Sequence, residues 1–321
     1  MHDCGYVTPD APYDRTPNAR QGPRRPVWRL LAVVCAAALL ASCGQQGILD
    51  PQGPIASAQL LLLINATEIM LVIVVPVILA SVGWSLWYRS SNARARRREE
   101  LTYEGRIDFV SWAIPVLTVT LLGAVNWISS HDLDPRTPIA ANAKPLEVDV
   151  VALDWKWLFI YPEQGIAALN QLVIPVGTPL RFRLTSATVM SSFLVPQLGS
   201  QIYTMPGMTT QLNLLADRPG EFPGISANFN GNGFADMRFI AKAVPAADFA
   251  GWVAQVRGSG PALDFPAYAA LAKPSQAVPP TTWSSVDPNL FERIIEQTMM
   301  GPENARAGAA FCSPAARVGR L

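Results

Sequence analysis

A loop in a strand-rich region of the chain has the length and spacing of a copper-binding loop but lacks the ligands. A binuclear copper site takes two thiolates, two imidazoles and a thioether, because copper prefers soft sulfur and imidazole nitrogen. The required spacing is C-S-E-x-C-G-x-x-H-x-x-M. In residues 226–237 the places for thiolate, carboxylate and imidazole carry neutral side chains instead: Ser226, Asn228, Asn230 and Phe234. Only Gly231 and Met237 match, so we expect this loop to hold no copper.

The chain as a whole is poor in copper and zinc ligands. Its 321 residues include 4 cysteines and 2 histidines. The cysteines are far apart and form neither a CxxC pair nor a disulfide framework. If the leader described below is removed, Cys43, Cys312 and His131 remain, and these cannot build a Cys/His metal site within one chain. We expect Cys312, alone near the C-terminus, to be incidental.

The composition indicates a membrane protein. Hydrophobic residues make up 50% of the chain and charged residues 15%, which is too apolar for an ordinary soluble protein. The formal net charge of +1 gives no reason to expect a nucleic-acid partner. The sequence supports neither a catalytic triad nor a phosphate-binding loop.

Residues 1–42 have the pattern of a secretory leader. Several arginines precede an apolar run at residues 30–40 that is too short to span a bilayer. Residues 40–44, Leu-Ala-Ser-Cys-Gly, resemble a bacterial lipobox, which predicts that the thiol of Cys43 receives a lipid. The alternative is a plain signal peptide in which Cys43 is incidental. A segment outside the membrane, residues 43–58, would follow the leader.

Two apolar stretches, residues 59–88 and 108–130, are each long enough to cross a bilayer. The segment between them, residues 89–107, is rich in arginine, which predicts that it lies in the cytoplasm. A lipid on Cys43 would place the mature N-terminus on the opposite side of the membrane. The two arguments give the same topology, with the C-terminal half of the chain in the periplasm.

Two carboxylates are associated with these stretches. Glu68 lies in the first, and an ionisable residue within a membrane is a candidate functional group. The alternative is that Glu68 faces a partner subunit or the outer interface. Asp108 begins the second stretch, where the helix dipole favours an acid for purely structural reasons.

From residue 144 the pattern changes to alternating apolar and polar residues, as in 146–150 and 180–184, with Pro- and Gly-containing turns between the runs. Short alternating strands at this spacing predict an antiparallel sandwich or barrel, and a Greek-key β-sandwich fits residues 144–244. Residues 245–300 carry helix-like spacing with Pro- and Ala-rich connectors. Residues 301–321 are rich in Ala, Gly and Arg and are expected to be disordered.

Two further segments give the chain a family resemblance. Residues 154–167, DWKWLFIYPEQGIA, and 189–203, VMSSFLVPQLGSQIY, resemble subunit II of the haem-copper oxidases in its quinol-oxidase form, of the cytochrome bo type. The resemblance implies a fold of membrane α plus all-β: two transmembrane helices, a periplasmic cupredoxin-like Greek-key β-sandwich and a short helical C-terminal segment. It puts Ser191 at the place of the first copper histidine.

The resemblance implies a subunit of a proton-pumping ubiquinol oxidase in the bacterial inner membrane. This chain would carry no cofactor, and haem and copper would lie in the partner catalytic subunit I, with further small membrane subunits. Quinol, which is lipid-soluble, would reduce a haem from within the membrane, so the sandwich would need no copper. The sandwich would instead cover the catalytic subunit and provide a docking surface. In such a core we expect Phe234 to contribute an apolar ring and Ser226, Asn228 and Asn230 to hydrogen-bond one another.

The same resemblance implies roles for three more residues. Trp155 and Trp157 would be aromatic contacts with the catalytic subunit. A carboxylate at the cytoplasmic start of the second helix lies at the mouth of one proton path in the wider family, and Asp108 falls there, although the family residue is more often a glutamate. Two alternative functions are a cytochrome c oxidase subunit II with a divergent copper site and a free-standing cupredoxin-like lipoprotein that scaffolds another envelope complex.

Overall fold

The structure is a computed structural model that describes residues 47–95, 104–140 and 143–299. The expected leader, the lipid-accepting Cys43, the middle of the arginine-rich segment, Cys312 and the C-terminal tail lie outside these residues. All elements below belong to the described ranges.

Two long helices begin the described chain. Helix α1 runs from Pro54 to Trp87 and helix α2 from Gly105 to Asp132. Pro54 suits the first helical position because its missing N–H has no partner there in any helix. Both helices are long and apolar enough to cross a membrane, as predicted, and their apolar side chains are largely exposed in the isolated chain. Helix α1 starts before the expected boundary at residue 59, and this additional turn contacts the extramembrane domain.

The β-sandwich contains ten strands, and most of its hydrophobic side chains point into one core between the sheets. The strands are β1 Leu146–Leu153, β2 Lys156–Tyr161, β3 Ile166–Leu169, β4 Gln171–Pro175, β5 Leu180–Ser186, β6 Ser191–Val195, β7 Gly199–Thr204, β8 Thr210–Leu214, β9 Gly220–Ser226 and β10 Arg238–Val244.

Two layers of strands form the sandwich. The first follows the order β3-β2-β1-β5-β8 and the second the order β4-β10-β9-β6-β7. The expected sandwich is confirmed, but its strand pairs are not all antiparallel: β1 with β5, and β4 with β10, run parallel. The parallel pairs arise because the chain leaves the first sheet for β4 in the second and returns to the first as β5.

Much of the C-terminal segment packs on the outer face of the first sheet, whereas its first helix packs Val253 and Val256 against the core between the sheets. It contains α3 Ala246–Gly258, β11 Ala262–Leu263, α4 Phe265–Leu271, β12 Thr281–Trp283, β13 Ser285–Val286 and α5 Leu290–Met299. Strand β12 adds to the edge of the first sheet beside β3, antiparallel to it. A second hydrophobic core lies between this segment and the outer faces of β1, β2 and β3. The first sheet is therefore buried on both faces, and β2 has no exposed residue.

Both helices are tied to the sandwich at their outer ends. The backbone of Gln52, just before α1, bonds to Gln197 and Asp217 at 2.7 and 2.9 Å. A Cβ atom on Gly53 would lie 2.2 Å from the carbonyl oxygen of Leu215, so only glycine allows this approach. Beyond α2, Asn213 donates both its backbone N–H and its side-chain amide to the carbonyl of Pro135.

Candidate functional site

The loop with copper-like spacing connects β9 to β10 at one end of the sandwich. Strand β6 pairs with β9, which brings Ser191, at the start of β6, to the same end as Ser226. A single turn of 3-10 helix, Phe234–Asp236, leads into Met237. Strand pairing thus gathers residues that are far apart in the sequence, as the resemblance predicts.

Asn230 joins the gathered residues by hydrogen bonds. Its Nδ2 atom donates to Ser191 Oγ at 2.9 Å and to Met237 Sδ at 3.0 Å. Ser191 and Met237 are both buried. Asn230 Oδ1 is buried as well and has no hydrogen-bond partner within the described residues. The side-chain amide therefore replaces a metal as the centre that holds these residues together.

The expected mutual hydrogen bonding of Ser226, Asn228 and Asn230 is wrong in its pattern. Ser226 Oγ donates to the backbone carbonyl of Asn228 at 3.2 Å, but Asn230 turns inward to Ser191 and Met237. The Asn228 amide lies 3.5 Å from the carbonyl oxygen of Met190. Asn230 is half-buried with its side-chain amide turned inward, where Ser191 and Met237 are its partners.

Phe234 does not fill the interior in the way the sequence suggests. It is half-buried, and its ring lies 5.6 Å from the ring of Phe229, which is 73% exposed. Met190 lies nearby, because its backbone carbonyl oxygen is 3.5 Å from the side-chain amide of Asn228. The side chain of Met190 is also exposed. The loop thus presents an apolar, aromatic surface outward at this end of the sandwich.

Trp155 covers the loop from the β1–β2 hairpin. It occupies the second position of the two-residue turn with φ 63°, a left-handed conformation that is uncommon for a residue other than glycine. Its indole Nε1 donates to the carbonyl of Asn230 at 3.3 Å. A Cβ atom on Gly233 would lie 2.4 Å from the indole ring, so the ring packs directly on the loop backbone.

Trp157 is not an interface residue. It is fully buried in the sandwich core, where its ring lies 5.3 Å from that of Phe193 and 5.8 Å from that of Phe239. The expectation that Trp157 contacts a partner subunit is therefore wrong, because strand alternation turns it inward. The half-buried Trp155 retains an exposed part.

Lys156, between the two tryptophans, is a buried residue that sequence reasoning missed. Its Nζ atom donates to the carbonyl of Lys273 at 2.7 Å and to the hydroxyl of Ser275. Burial lowers the pKa of Lys156, and the nearby Asp154 carboxylate partly opposes this effect. The lysine thereby ties the C-terminal segment to the hairpin beside the loop. Its only sequence signal is its place among strand residues that are otherwise apolar.

The residues at the loop do not fit a copper centre. They offer hydroxyl, amide and thioether groups, whereas a binuclear copper site requires thiolate and imidazole ligands. Residues 47–95, 104–140 and 143–299 also contain no group of three or more His, Cys, Asp or Glu side chains that could hold a metal ion. Hydrogen bonds and aromatic packing hold the loop instead.

The two carboxylates of the helices lie apart from the loop. Asp108 is exposed in the first turn of α2, and Glu68 is exposed along α1.

The sandwich and the C-terminal segment each match a known protein family. A family model described as cytochrome c oxidase subunit II, periplasmic domain, matches residues 144–244, and a model described as the COX aromatic rich motif matches residues 257–301. Cytochrome bo(3) ubiquinol oxidase subunit 2 of Pseudomonas aeruginosa is 45% identical over 259 residues, covering 81% of this chain and 78% of the relative. Ubiquinol oxidase subunit 2 of Acetobacter aceti is 45% identical over 267 residues, covering 83% and 86%. Quinol oxidase subunit 2 of Bacillus cereus is 33% identical over 278 residues, covering 84% and 95%.

Proposed function

The chain belongs to the family of ubiquinol oxidase subunits 2, and we propose that it is the second subunit of a proton-pumping ubiquinol oxidase in a bacterial inner membrane. Its two helices anchor it in the membrane, and its sandwich is a periplasmic domain. The complex would oxidise quinol and reduce oxygen to water. This subunit would stabilise the assembly and cap the periplasmic face of its catalytic partner.

The ligand set of the loop carries this proposal. A soluble protein donor that delivers electrons from the periplasm needs a metal relay in the sandwich. Ser191, Asn230 and Met237 offer a hydroxyl, an amide and a thioether that are joined by hydrogen bonds, and these groups lack the thiolate and imidazole that a binuclear copper site takes. A quinol needs no such relay, because it is lipid-soluble and can reach a haem from within the bilayer. Haem and copper would then lie in the catalytic subunit.

Two surfaces suit contact with that catalytic subunit. One is the aromatic pair Phe229 and Phe234 at the loop, which together with the exposed side chain of Met190 forms an apolar surface. The other is the apolar side of α1 and α2, which touch each other little and leave room for further membrane helices. A lipid on Cys43 would add a second anchor at the outer leaflet.

Asp108 is our candidate for proton entry. It is exposed in the first turn of α2, next to the arginine-rich segment that the charge pattern assigns to the cytoplasm. A carboxylate at this position can exchange protons with cytoplasmic water and pass them to a neighbouring subunit.

The proposal is tested by purifying the tagged chain gently from membranes. We expect it to bring haem with it, seen in a reduced-minus-oxidised spectrum, and to support oxygen uptake with quinol but not with reduced cytochrome c. Membranes carrying the untagged chain provide the control for unspecific binding. A preparation without haem would favour a free-standing lipoprotein scaffold, and oxygen uptake with cytochrome c would contradict our interpretation of the loop.

A further inference from the structure

Several hydroxyl-bearing side chains in the two membrane helices form hydrogen bonds with their own helix. Several hydroxyl groups bond the carbonyl four residues earlier in their own helix, at 2.7 or 2.8 Å: Thr67, Ser81, Ser85, Thr118 and Thr120. Such bonds remove the cost of a hydroxyl in lipid, where no water is present. A carboxylate has no proton to donate when ionised and cannot be satisfied in this way.

Glu68 of α1 has no such bond. Its side chain is exposed and has no hydrogen bond or ion pair to any residue in the described part of the chain. Asn65, one turn earlier, is also exposed and unpaired within the same residues. Residues three apart lie on the same side of a helix, so the two form one polar patch.

The patch lies within the apolar layer. At 1.5 Å per residue, Glu68 is about 24 Å along α1 from Trp84, near the cytoplasmic end, and about 18 Å from Ala56, which is buried against the sandwich. A hydrocarbon core of about 30 Å that begins near Trp84 therefore includes Glu68 in its outer half. Glu68 is therefore inside the apolar layer, about 6 Å from its outer edge.

Within the described residues, no lysine or arginine lies at that depth. The span of α2 contains no lysine or arginine between Arg106, at its cytoplasmic start, and its end at Asp132. His131 is at the outer end of α2, where its ring packs 4.6 Å from that of Trp127 and bonds the Trp127 carbonyl. Ionised groups within membranes are paired with other polar groups, and the described part of this chain offers Glu68 no such cation.

We propose that Glu68 forms an ion pair with a lysine or arginine on a membrane helix of a partner subunit, with Asn65 adding a hydrogen bond at the same contact. The inference rests on the proposed function, because it needs an assembly of membrane subunits. It identifies the side of α1 that faces the partner and the charge that the partner presents there.

The first test compares variants in the complex purified through a tag on this chain. Glu68→Gln keeps the size of the side chain but removes its charge, and Glu68→Leu removes its polarity. Breaking one side of a buried ion pair leaves the other charge unpaired, so after a detergent wash we expect about tenfold less haem per tagged chain for both variants. Thr67→Val is the matched control, because Thr67 bonds its own helix, and it should retain haem as the wild type does.

The outcomes separate the alternatives. Haem retention equal to wild type in Glu68→Gln would overturn the proposal, whether or not Glu68→Leu loses haem, because a neutral side chain would then be sufficient. Loss in both glutamate variants with retention in Thr67→Val would support it.

A second measurement does not depend on haem. Dicyclohexylcarbodiimide reacts with protonated carboxyl groups in apolar surroundings, so a paired and ionised Glu68 should remain unlabelled in native membranes and become labelled once detergent dissociates the assembly. Peptide mass spectrometry gives the labelled fraction. Labelling in intact membranes would overturn the ion pair. A wild-type preparation without haem would contradict the proposed oxidase instead, and the labelling result would still decide whether Glu68 is paired.

Discussion

The side-chain amide of Asn230 donates a hydrogen bond to Ser191 Oγ at 2.9 Å, across 39 residues of sequence. Both residues stand where a copper site of this spacing would have ligands. The same amide reaches Met237 Sδ, so one neutral group connects the three positions. A loop that copper would organise in a related protein is organised here by hydrogen bonds, and its stability should depend on them.

We expect Asn230→Ala to destabilise the sandwich by about 1–3 kcal/mol, because it leaves the buried Ser191 hydroxyl without this partner. Urea unfolding of the full chain in detergent, followed by tryptophan fluorescence, measures the change. Asn228→Ala is the matched control, since the Asn228 amide has contacts no closer than 3.5 Å and should change stability by less than about 0.5 kcal/mol. Equal effects for the two variants would mean that the hydrogen bonds of Asn230 contribute nothing specific.

Gly233→Ala should disturb the contact between the loop and Trp155. The added methyl group would meet the indole ring at 2.4 Å, and relief of such a clash costs about 1–3 kcal/mol. Melting temperature and the emission maximum of tryptophan both report the shift. Gly251→Ala, in helix α3 with nothing within 4 Å of the new Cβ, should instead stabilise by about 0.5–1 kcal/mol. Destabilisation by both variants would show that the effect is general to glycine.

Arg183 makes the strongest connection between the sandwich and the C-terminal segment. It binds both oxygens of Asp149, at 2.7 and 2.8 Å, and Glu292 of helix α5 at 2.9 Å. Asp149 is only 2% exposed, so Arg183→Met leaves a buried carboxylate unpaired and should cost about 3–5 kcal/mol.

The matched control for Arg183 is two residues earlier in the same strand. Arg181 pairs with Glu147 at 3.3 Å, and both side chains are about two-fifths exposed, so Arg181→Met should cost less than about 1 kcal/mol. Unfolding free energies of the two variants measure the difference. A loss of similar size in both would argue against a special role for the buried pair.

Lys156 should give the chain a recognisable response to alkaline pH. Burial lowers its pKa in the folded state below the ordinary value of 10.5. Between the folded pKa and 10.5 the unfolded chain binds more protons than the folded chain, so stability due to this group rises with pH. We therefore expect the difference in unfolding free energy between wild type and Lys156→Met to change in favour of wild type as the pH rises from the lowered folded pKa to 10.5.

Lys144 provides the opposite case. It is exposed, and the hydrogen bond and charge of Glu163 raise its pKa above 10.5. The contribution of Lys144 to the free energy of unfolding is therefore fully present below pH 10.5 and is lost only above that value. Over the same pH range the unfolding free energies of Lys144→Met and wild type should differ by a constant amount. Parallel curves for Lys156→Met as well would mean that the lysine is not desolvated as its burial indicates.

Asp108→Asn should slow proton uptake and turnover of the assembled oxidase without reducing the haem bound per chain. The amide keeps the size of the side chain but cannot exchange a proton. Glu104→Gln, just before the first turn of α2, is the control and should leave both rates unchanged. Unchanged turnover and proton uptake in Asp108→Asn would contradict a role in proton entry.

Local patterns predicted much of this fold. The length and polarity of the two apolar stretches predicted the helices, and alternating residues with turns between them predicted the sandwich. The spacing of residues 226–237 predicted a loop gathered at one end of the domain. These features depend on residues near one another in the sequence.

The errors arose where distant segments meet. Asn230 finds Ser191 through the pairing of β6 with β9, and Lys156 is buried by residues more than 100 positions later. Trp157 has the same local pattern as Trp155, but Trp157 lies within β2 and is fully buried, whereas Trp155 occupies the turn before that strand and keeps an exposed part. Sequence spacing alone does not contain that information.

The short strand β12 covers a sheet edge that would otherwise be open before the subunit assembles. Without it, β3 would be an edge strand with unpaired N–H and C=O groups, and such an edge can pair with another copy of the same sheet. Strand β12 covers that edge with three residues of its own chain, and a strand so short is a poor template for further pairing. The C-terminal segment thus protects the unassembled subunit from aggregating.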